Sequence, residues 1–188
     1  MNWFFSIIRS VGASYPLSAS LVQFQSELDS GKMDKRIKRL EDPISILHPD
    51  IQHVSKEIYV LIKQSEQENI TFDDEFIEKY GRPLAILEKN GFIKGNHAIG
   101  KRWAGSTYFS DPSYVLYLCK LSEPEKKMNC FFRLLEGSKP GDSFEGYDIQ
   151  KTISLPIPVI KAFFKVYESM GYGFCSKTVG LCHFSITS

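Results

Sequence analysis

Two stretches decide how this chain is read: ILEKNGFIKGNHAIG, Ile86 to Gly100, and VYESMGYGFCSKTVG, Val166 to Gly180. They superpose without a gap at an offset of 80 residues. Glu88 falls on Glu168, Gly91 on Gly171 and Gly100 on Gly180, while Phe92 meets Tyr172 and Ile99 meets Val179. Identities are few, but the physical roles coincide. Each stretch opens on the end of an apolar-periodic helix closed by glycine, the residue that takes positive φ without steric cost. An aromatic residue follows at once, and a β-branched residue with a glycine stands further on, where a hairpin would turn. Repetition of a whole supersecondary unit at a fixed period points to a duplicated domain.

Working outward, the elements around the two stretches follow one order. Val54, Ile58, Leu61 and Ile62 have the spacing of an amphipathic helix. Thr71 and Asp74 are spaced as a capping box, which predicts a second helix with Phe72, Phe76 and Tyr80 on one face and Gly81 at its end. Pro83 then opens a third helix that runs to Asn90, with Gly81-Arg82-Pro83 as a tight turn. Phe92-Ile93-Lys94 reads as a strand, followed by a glycine-punctuated stretch to Phe109. Asp111-Pro112 starts a connecting helix with Tyr114, Val115, Leu118 and Leu121 on one side. Ser122 and Glu125 form a second capping box before a helix that turns Met128, Phe131, Phe132 and Leu135 inward and stops at Gly137. A polar loop, SKPGDSFEG, leads to a short helix at Asp148–Ile153 and a turn at Leu155-Pro156. The next helix buries Ile157, Ile160, Phe164 and Tyr167 and ends at Gly171; Tyr172 to Ile186 forms a hairpin with Lys177 to Gly180 near its tip.

Before these elements lies a helical arm, residues 1–47. Leu17, Leu21, Phe24 and Leu28 follow 4-3-4 spacing, and Met33, Ile37 and Leu40 resume the rhythm after Ser30-Gly31, until Pro43 ends it. Such seams fit a helical hairpin, a small oligomeric coil, or an arm folded back on its own domain. Trp3, Phe4, Phe5, Ile7, Ile8 and Val11 make a nearly all-round apolar segment whose only charge is Arg9. Docking on the chain's own domains accounts for it, as does an interface with a partner or a second copy. In the interface reading the contact residues are Trp3, Phe4, Ile7, Ile8, Leu21, Phe24 and Leu28. An interfacial membrane helix is richer in Lys and Arg, so membrane contact is disfavoured.

Helix, helix, tight turn, third helix and β-hairpin is the order of the winged-helix family, and both halves resemble it. The expected fold is therefore mainly α with small β-hairpins, an α+β arrangement of two tandem winged-helix domains. Residues 48–121 form the first domain and 122–188 the second, behind the helical arm. The resemblance implies duplex DNA as a ligand, with the third helix in the major groove and the wing on the backbone. Carried onto this chain, it offers Lys161, Lys165 and Ser169 on the second third-helix and Lys177 on its wing. In the first copy it offers Arg82 and Lys89 on the helix, and Lys94, His97, Lys101 and Arg102 around the wing. Glu88 and Glu168, near the ends of the third helices, would repel phosphate unless they face away.

Charge limits this reading. The chain carries 23 Lys+Arg against 22 Asp+Glu, a formal net charge of +1, so it is not a general coat for nucleic acid. Residues 51–121 hold nine basic and nine acidic side chains, and residues 122–188 hold eight and seven. Any DNA contact must come from local patches. The leading expectation is a regulatory DNA-binding protein that self-associates through its arm. The alternative is a protein–protein adaptor whose winged helices and arm dock other subunits.

No catalytic or metal-binding constellation stands out, so neither an enzyme nor a cofactor is expected. His48, His53 and His97 lack a Ser, Cys or paired carboxylate at triad spacing. Cys175 and Cys182-His183 lie on two arms of one predicted hairpin, but six residues separate the cysteines and a fourth zinc ligand is missing. The N-terminus does not fit a signal peptide and no stretch approaches a membrane span of ~20 apolar residues. Four free thiols then suit a reducing cytoplasm.

Overall fold

Ile51, Val54, Ile58 and Ile62 recur at helical spacing and are fully buried along one side of α1 (Ile51–Ser65). The computed structural model describes residues 44, 47–100, 102–169, 171–176 and 182–187. The contact residues expected in the arm (Trp3, Phe4, Ile7, Ile8, Leu21, Phe24, Leu28) lie outside the described residues, as do Lys101 and Lys177. After α1 come β1 (Asn69–Thr71), α2 (Asp74–Lys89), β2 (Ile93–Lys94) and β3 (Ser106–Phe109). Then follow α3 (Pro112–Ser122), α4 (Glu125–Glu136), β4 (Ser143–Glu145), α5 (Gly146–Ile153), α6 (Ile157–Ser169), β5 (Gly173–Cys175) and β6 (His183–Ile186). The chain is thus mixed α+β, with two three-stranded sheets of order β1-β3-β2 and β4-β6-β5. In both, the last strand in the sequence lies in the middle.

The ladders of the two hairpins correspond residue by residue. Ile93 pairs with Phe109 and Lys94 with Tyr108; Gly173 pairs with Ile186 and Phe174 with Ser185. The first strands keep the offset of 80, but the return strands are offset by 77, so the second hairpin is three residues shorter. Gly91 and Gly171 adopt φ of 77° and 82°, the left-handed conformation expected of them. Their N–H groups donate to the carbonyls of Glu88 and Glu168 (2.9 and 3.0 Å). The next N–H groups, of Phe92 and Tyr172, donate to Leu87 and Tyr167 (3.0 and 3.1 Å).

Elsewhere the structure departs from the sequence-based expectation. Helices two and three of the first half are one helix, α2, with Pro83 inside it. Lys89 follows Thr71 by 18 residues, whereas Ser169 follows Glu145 by 24, which leaves no room for a turn and a separate helix. Pro83 removes a single helical donor, and its buried ring sits beside Leu84 and Leu87 in the core face. Thr71 is a strand residue; the N-cap of α2 is Asp73, whose carboxylate accepts the Phe76 N–H at 2.7 Å. Ser122 likewise does not cap α4. It is the last residue of α3, and a helical residue lacks the extended backbone of an N-cap; Pro124 holds that position without a side-chain bond. The SKPGDSFEG segment contains β4, where Phe144 pairs with Phe184. Finally, α3 is buried on every side from Pro112 to Cys119, not along one face.

By packing, the described residues divide into two compact units. One contains the described residues up to Ser55 together with Thr71–Ser110, and the other contains Lys56–Ile70 with the residues from Asp111 onward. The core of the first holds Val54, Phe72, Tyr80, Leu84, Leu87, Phe92, Ile93 and Trp103. Phe72, Phe76 and Tyr80 stack in sequence at 4.8 Å between centroids, as their i, i+4 spacing dictates. The second unit is organised around α6, whose Phe163 stacks on Phe131 at 4.3 Å and whose Phe164 stacks on Phe184 at 5.1 Å. The buried helix α3 packs along α6.

The glycine that ends α6 provides a direct check on this backbone. A Cβ at Gly171 would meet open space, so only its φ of 82° opposes substitution. Gly171→Ala should lower unfolding free energy by about 1 kcal/mol, and Gly171→Asn by less. Urea denaturation measures both; equal stabilities for all three proteins would contradict the left-handed assignment.

Candidate nucleic-acid interface

In the first unit, the C-terminal half of α2 and the loop between β2 and β3 are fastened together by one side chain. Glu88 Oε1 accepts the Gly95 N–H at 3.0 Å and lies 2.8 Å from His97 Nε2. The loop closes on itself through Ala104 N–H, which donates to the Asn96 carbonyl at 2.8 Å. Beneath it, Trp103 is buried with a φ of 51°, and its indole is packed so closely on Gly95 that a Cβ there would lie 2.2 Å from Cδ1. Only glycine fits at position 95. The loop tip, Ile99, is fully exposed.

This arrangement leaves an open groove of about 680 Å³ lined by Ala85, Glu88, Lys89, His97, Ala98, Gly100 and Arg102. Lys89 and Arg102 are exposed, and so is Arg82, seven residues before Lys89 and therefore on the same face of α2. Lys94 is exposed on β2. Among the described residues none of Arg82, Lys89, Lys94 and Arg102 forms an ion pair. Glu88, the carboxylate that would oppose an anion here, is occupied by Gly95 and His97. Among the described residues the first copy therefore presents exposed cations without an ion pair beside a carboxylate that already accepts from the loop.

The second copy presents the opposite. Lys161 and Lys165, an i, i+4 pair on α6, both reach Glu68, at 2.5 and 3.2 Å. The Lys161 side chain is only 19% exposed. Ser169 closes its hydroxyl onto the Val166 carbonyl at 2.7 Å. Ile157–Ile160, Ala162–Phe164 and Val166 are buried, so most of the helix surface is already covered. Of the residues named from sequence, the structure gathers Lys89, His97 and Arg102 around one groove with Arg82 nearby. It commits Lys161, Lys165 and Ser169 to contacts within their own unit.

Sequence reasoning missed Glu68, Gly95 and Trp103, and read Glu88 and Glu168 only as obstacles. A signal was present in their equivalence. Glu168 Oε1 accepts the Cys175 N–H at 3.0 Å, the same contact as Glu88 to Gly95, across the same seven residues.

Three of the cysteines, Cys119, Cys175 and Cys182, are disfavoured as thiolates. Burial first, with Glu168 nearby, pushes the Cys175 thiol up to about 12; burial also pushes Cys182 up to about 11 and Cys119 up to about 12. Such thiols stay protonated at neutral pH, poor as nucleophiles and metal ligands. Among the described residues no group of three or more His, Cys, Asp or Glu is placed to hold a metal ion. No helix among them is long and apolar enough to cross a membrane.

No protein-family model matches this chain, and neither a curated protein nor a solved structure shows significant similarity to it.

Two acidic residues of the second unit have a consequence that can be measured. Glu123, whose side chain is 5% exposed, accepts from Tyr59 Oη (3.1 Å) and pairs with Lys63 (3.0 Å) and Lys127 (2.8 Å). Burial opposes its charge, but Lys127, Lys63 and Tyr59 outweigh it and hold its carboxyl below the usual range; Lys161 and Lys165 outweigh burial at Glu68 in the same way. Folded pKa values below an unfolded value of ~4.3 stabilise the protein above that pH, and the contribution is lost as pH falls through the folded values. Urea midpoints measured from pH 7 to pH 3 should therefore fall steeply below about pH 4.3. The double variant Glu68→Gln, Glu123→Gln should start lower at pH 7 and fall less. Parallel curves would contradict these two assignments.

Proposed function

We propose that the chain is a tandem winged-helix protein that binds duplex DNA through its first copy. Three features support the winged-helix reading: a helix, a strand and then further helix before a hairpin in both halves (one helix, α2, in the first and two, α5 and α6, in the second), the middle position of the last strand in both sheets, and the matched hairpin registers. In this reading α2 is the recognition helix and residues 95–105 are the wing. The observation that carries the ligand assignment is that, among the described residues, Lys89 and Arg102 on the groove and Arg82 on the same face of α2 form no ion pair, while the groove's carboxylate, Glu88, already accepts from Gly95. Phosphate is the chemistry that such a set takes, and Arg82 and Arg102 supply forks able to read guanine. Regulation follows from DNA occupancy in such a protein, with the arm as the self-association element.

The second copy serves as a platform in this account. Its recognition-helix equivalent, α6, is packed under α3, and both lysines of its basic pair are engaged by Glu68. The adaptor reading draws on the same copy: Tyr172 and Phe174 are exposed beside the end strand β5, where the first copy has buried Phe92 and the charged Lys94. An adaptor would use those aromatics and would need no DNA.

Fluorescence anisotropy with a labelled duplex separates the two. Binding should weaken with salt, log K against log[salt] having a slope of about −3 for roughly three phosphate contacts. Lys89→Glu with Arg102→Glu should reduce affinity at least about tenfold at low salt, the scale expected when charge-assisted contacts are lost and reversed. Lys161→Glu with Lys165→Glu should change it less than about threefold, since those lysines are already paired. Loss through the second pair and not the first would reverse the assignment of copies, and no binding at low salt would leave the adaptor reading in its place.

A further inference from the structure

The contact between a helix carboxylate and a hairpin amide occurs twice in this chain with the same geometry. Glu88 takes the Gly95 N–H and Glu168 takes the Cys175 N–H, each at 3.0 Å and each seven residues on. Glutamate is one of only three identities between the two fifteen-residue stretches. The amide partners are otherwise unlike, a glycine under a tryptophan in one copy and a half-buried cysteine in the other. What the copies share is therefore the backbone contact, not the side chain that presents it.

We propose that Glu88 and Glu168 are positioning residues that lock each hairpin to the end of its recognition helix, and that Glu88 thereby sets Arg102 and His97 across the groove from Lys89. The effect on DNA rests on the function proposed above; the lock itself does not. The glycine turn fixes where the chain leaves the helix, through Gly91 and Phe92 N–H bonds to Glu88 and Leu87 carbonyls. Beyond β2, only two residues long, ladder bonds are few. The carboxylate supplies the next fixed point, at the first residue of the loop. An ionised acceptor makes that bond stronger than a neutral one would. In the first copy the same oxygen meets His97, so the lock also holds the loop's imidazole.

The two roles, backbone lock and local charge, separate in a pair of variants of the full chain. Glu88→Gln keeps an oxygen that can accept the Gly95 N–H but removes the charge; Glu88→Ala removes both. Amide hydrogen exchange read by NMR should accelerate at Gly95 by about tenfold or more in Glu88→Ala and by less than about threefold in Glu88→Gln. Exchange at buried amides of α6, such as Phe163, should be unchanged in both, which shows that the protein remains folded. Glu168→Ala should have the matching effect at Cys175. Duplex affinity should fall at least about tenfold in Glu88→Ala and by clearly less in Glu88→Gln, whereas simple removal of a repelling carboxylate predicts a gain in both. Unchanged exchange at Gly95 in Glu88→Ala would overturn the lock. Equal gains in affinity for both variants would overturn its positioning role. If the wild-type protein binds no duplex, the DNA reading fails, and the exchange rates alone decide the lock.

Discussion

The junction between a helix and the hairpin that follows it is the constraint on which the rest of the structure depends. A chain leaving α2 or α6 must reverse within two residues and return as a strand against the same helix. Glycine at positive φ makes the reversal, its N–H and the next one tie back to helix carbonyls, and a glutamate side chain holds the hairpin seven residues later. None of these groups is left without a partner, as buried or half-buried backbone requires. With the exit direction fixed, the aromatic residue after each glycine is placed beside its helix, and the strand registers follow.

From this shared junction the two copies diverge. In the second, α6 is buried over most of its surface, and the lysines at its edge are paired with Glu68. Glu68 thus engages the positive charge of both lysines within the second unit. In the first, α2 keeps an exposed face with Arg82 and Lys89, and the longer hairpin adds Arg102 and His97. Net charge near zero is compatible with this division, because a local group of three cations with no ion pair among the described residues needs no excess over the whole chain. We therefore place the proposed DNA contact on the copy whose sequence pattern is less regular.

Much of this architecture was legible in the sequence because it depends on local rules. Helical periodicity located α1, α4 and α6, and the glycines at 91 and 171 announced the reversals through φ alone. The failures share a cause: short signals were read without the spacing around them. Thr71-Asp74 and Ser122-Glu125 both have capping-box spacing, but Thr71 was needed in a strand and Ser122 in the preceding helix. Pro83 signals a helix start, yet a chain six residues shorter than its counterpart had to run through it. The three-residue strand β4 carries too little periodicity to be seen inside a loop rich in glycine and charge. At the site, residue types were legible and partners were not. Lys161 and Lys165 looked available because Glu68 lies 93 residues from the first of them. Glu88 looked repulsive because its acceptor role depends on a loop amide that sequence does not place.

The claim that the first copy is the open one is tested most directly by titrating the isotope-labelled protein with a short duplex at low salt and following backbone amide shifts. The account predicts shifts concentrated at Arg82, Lys89 and the loop from Gly95 to Arg102, with little change around Lys161 and Lys165. Shifts centred on α6, or no shifts at all, would contradict it.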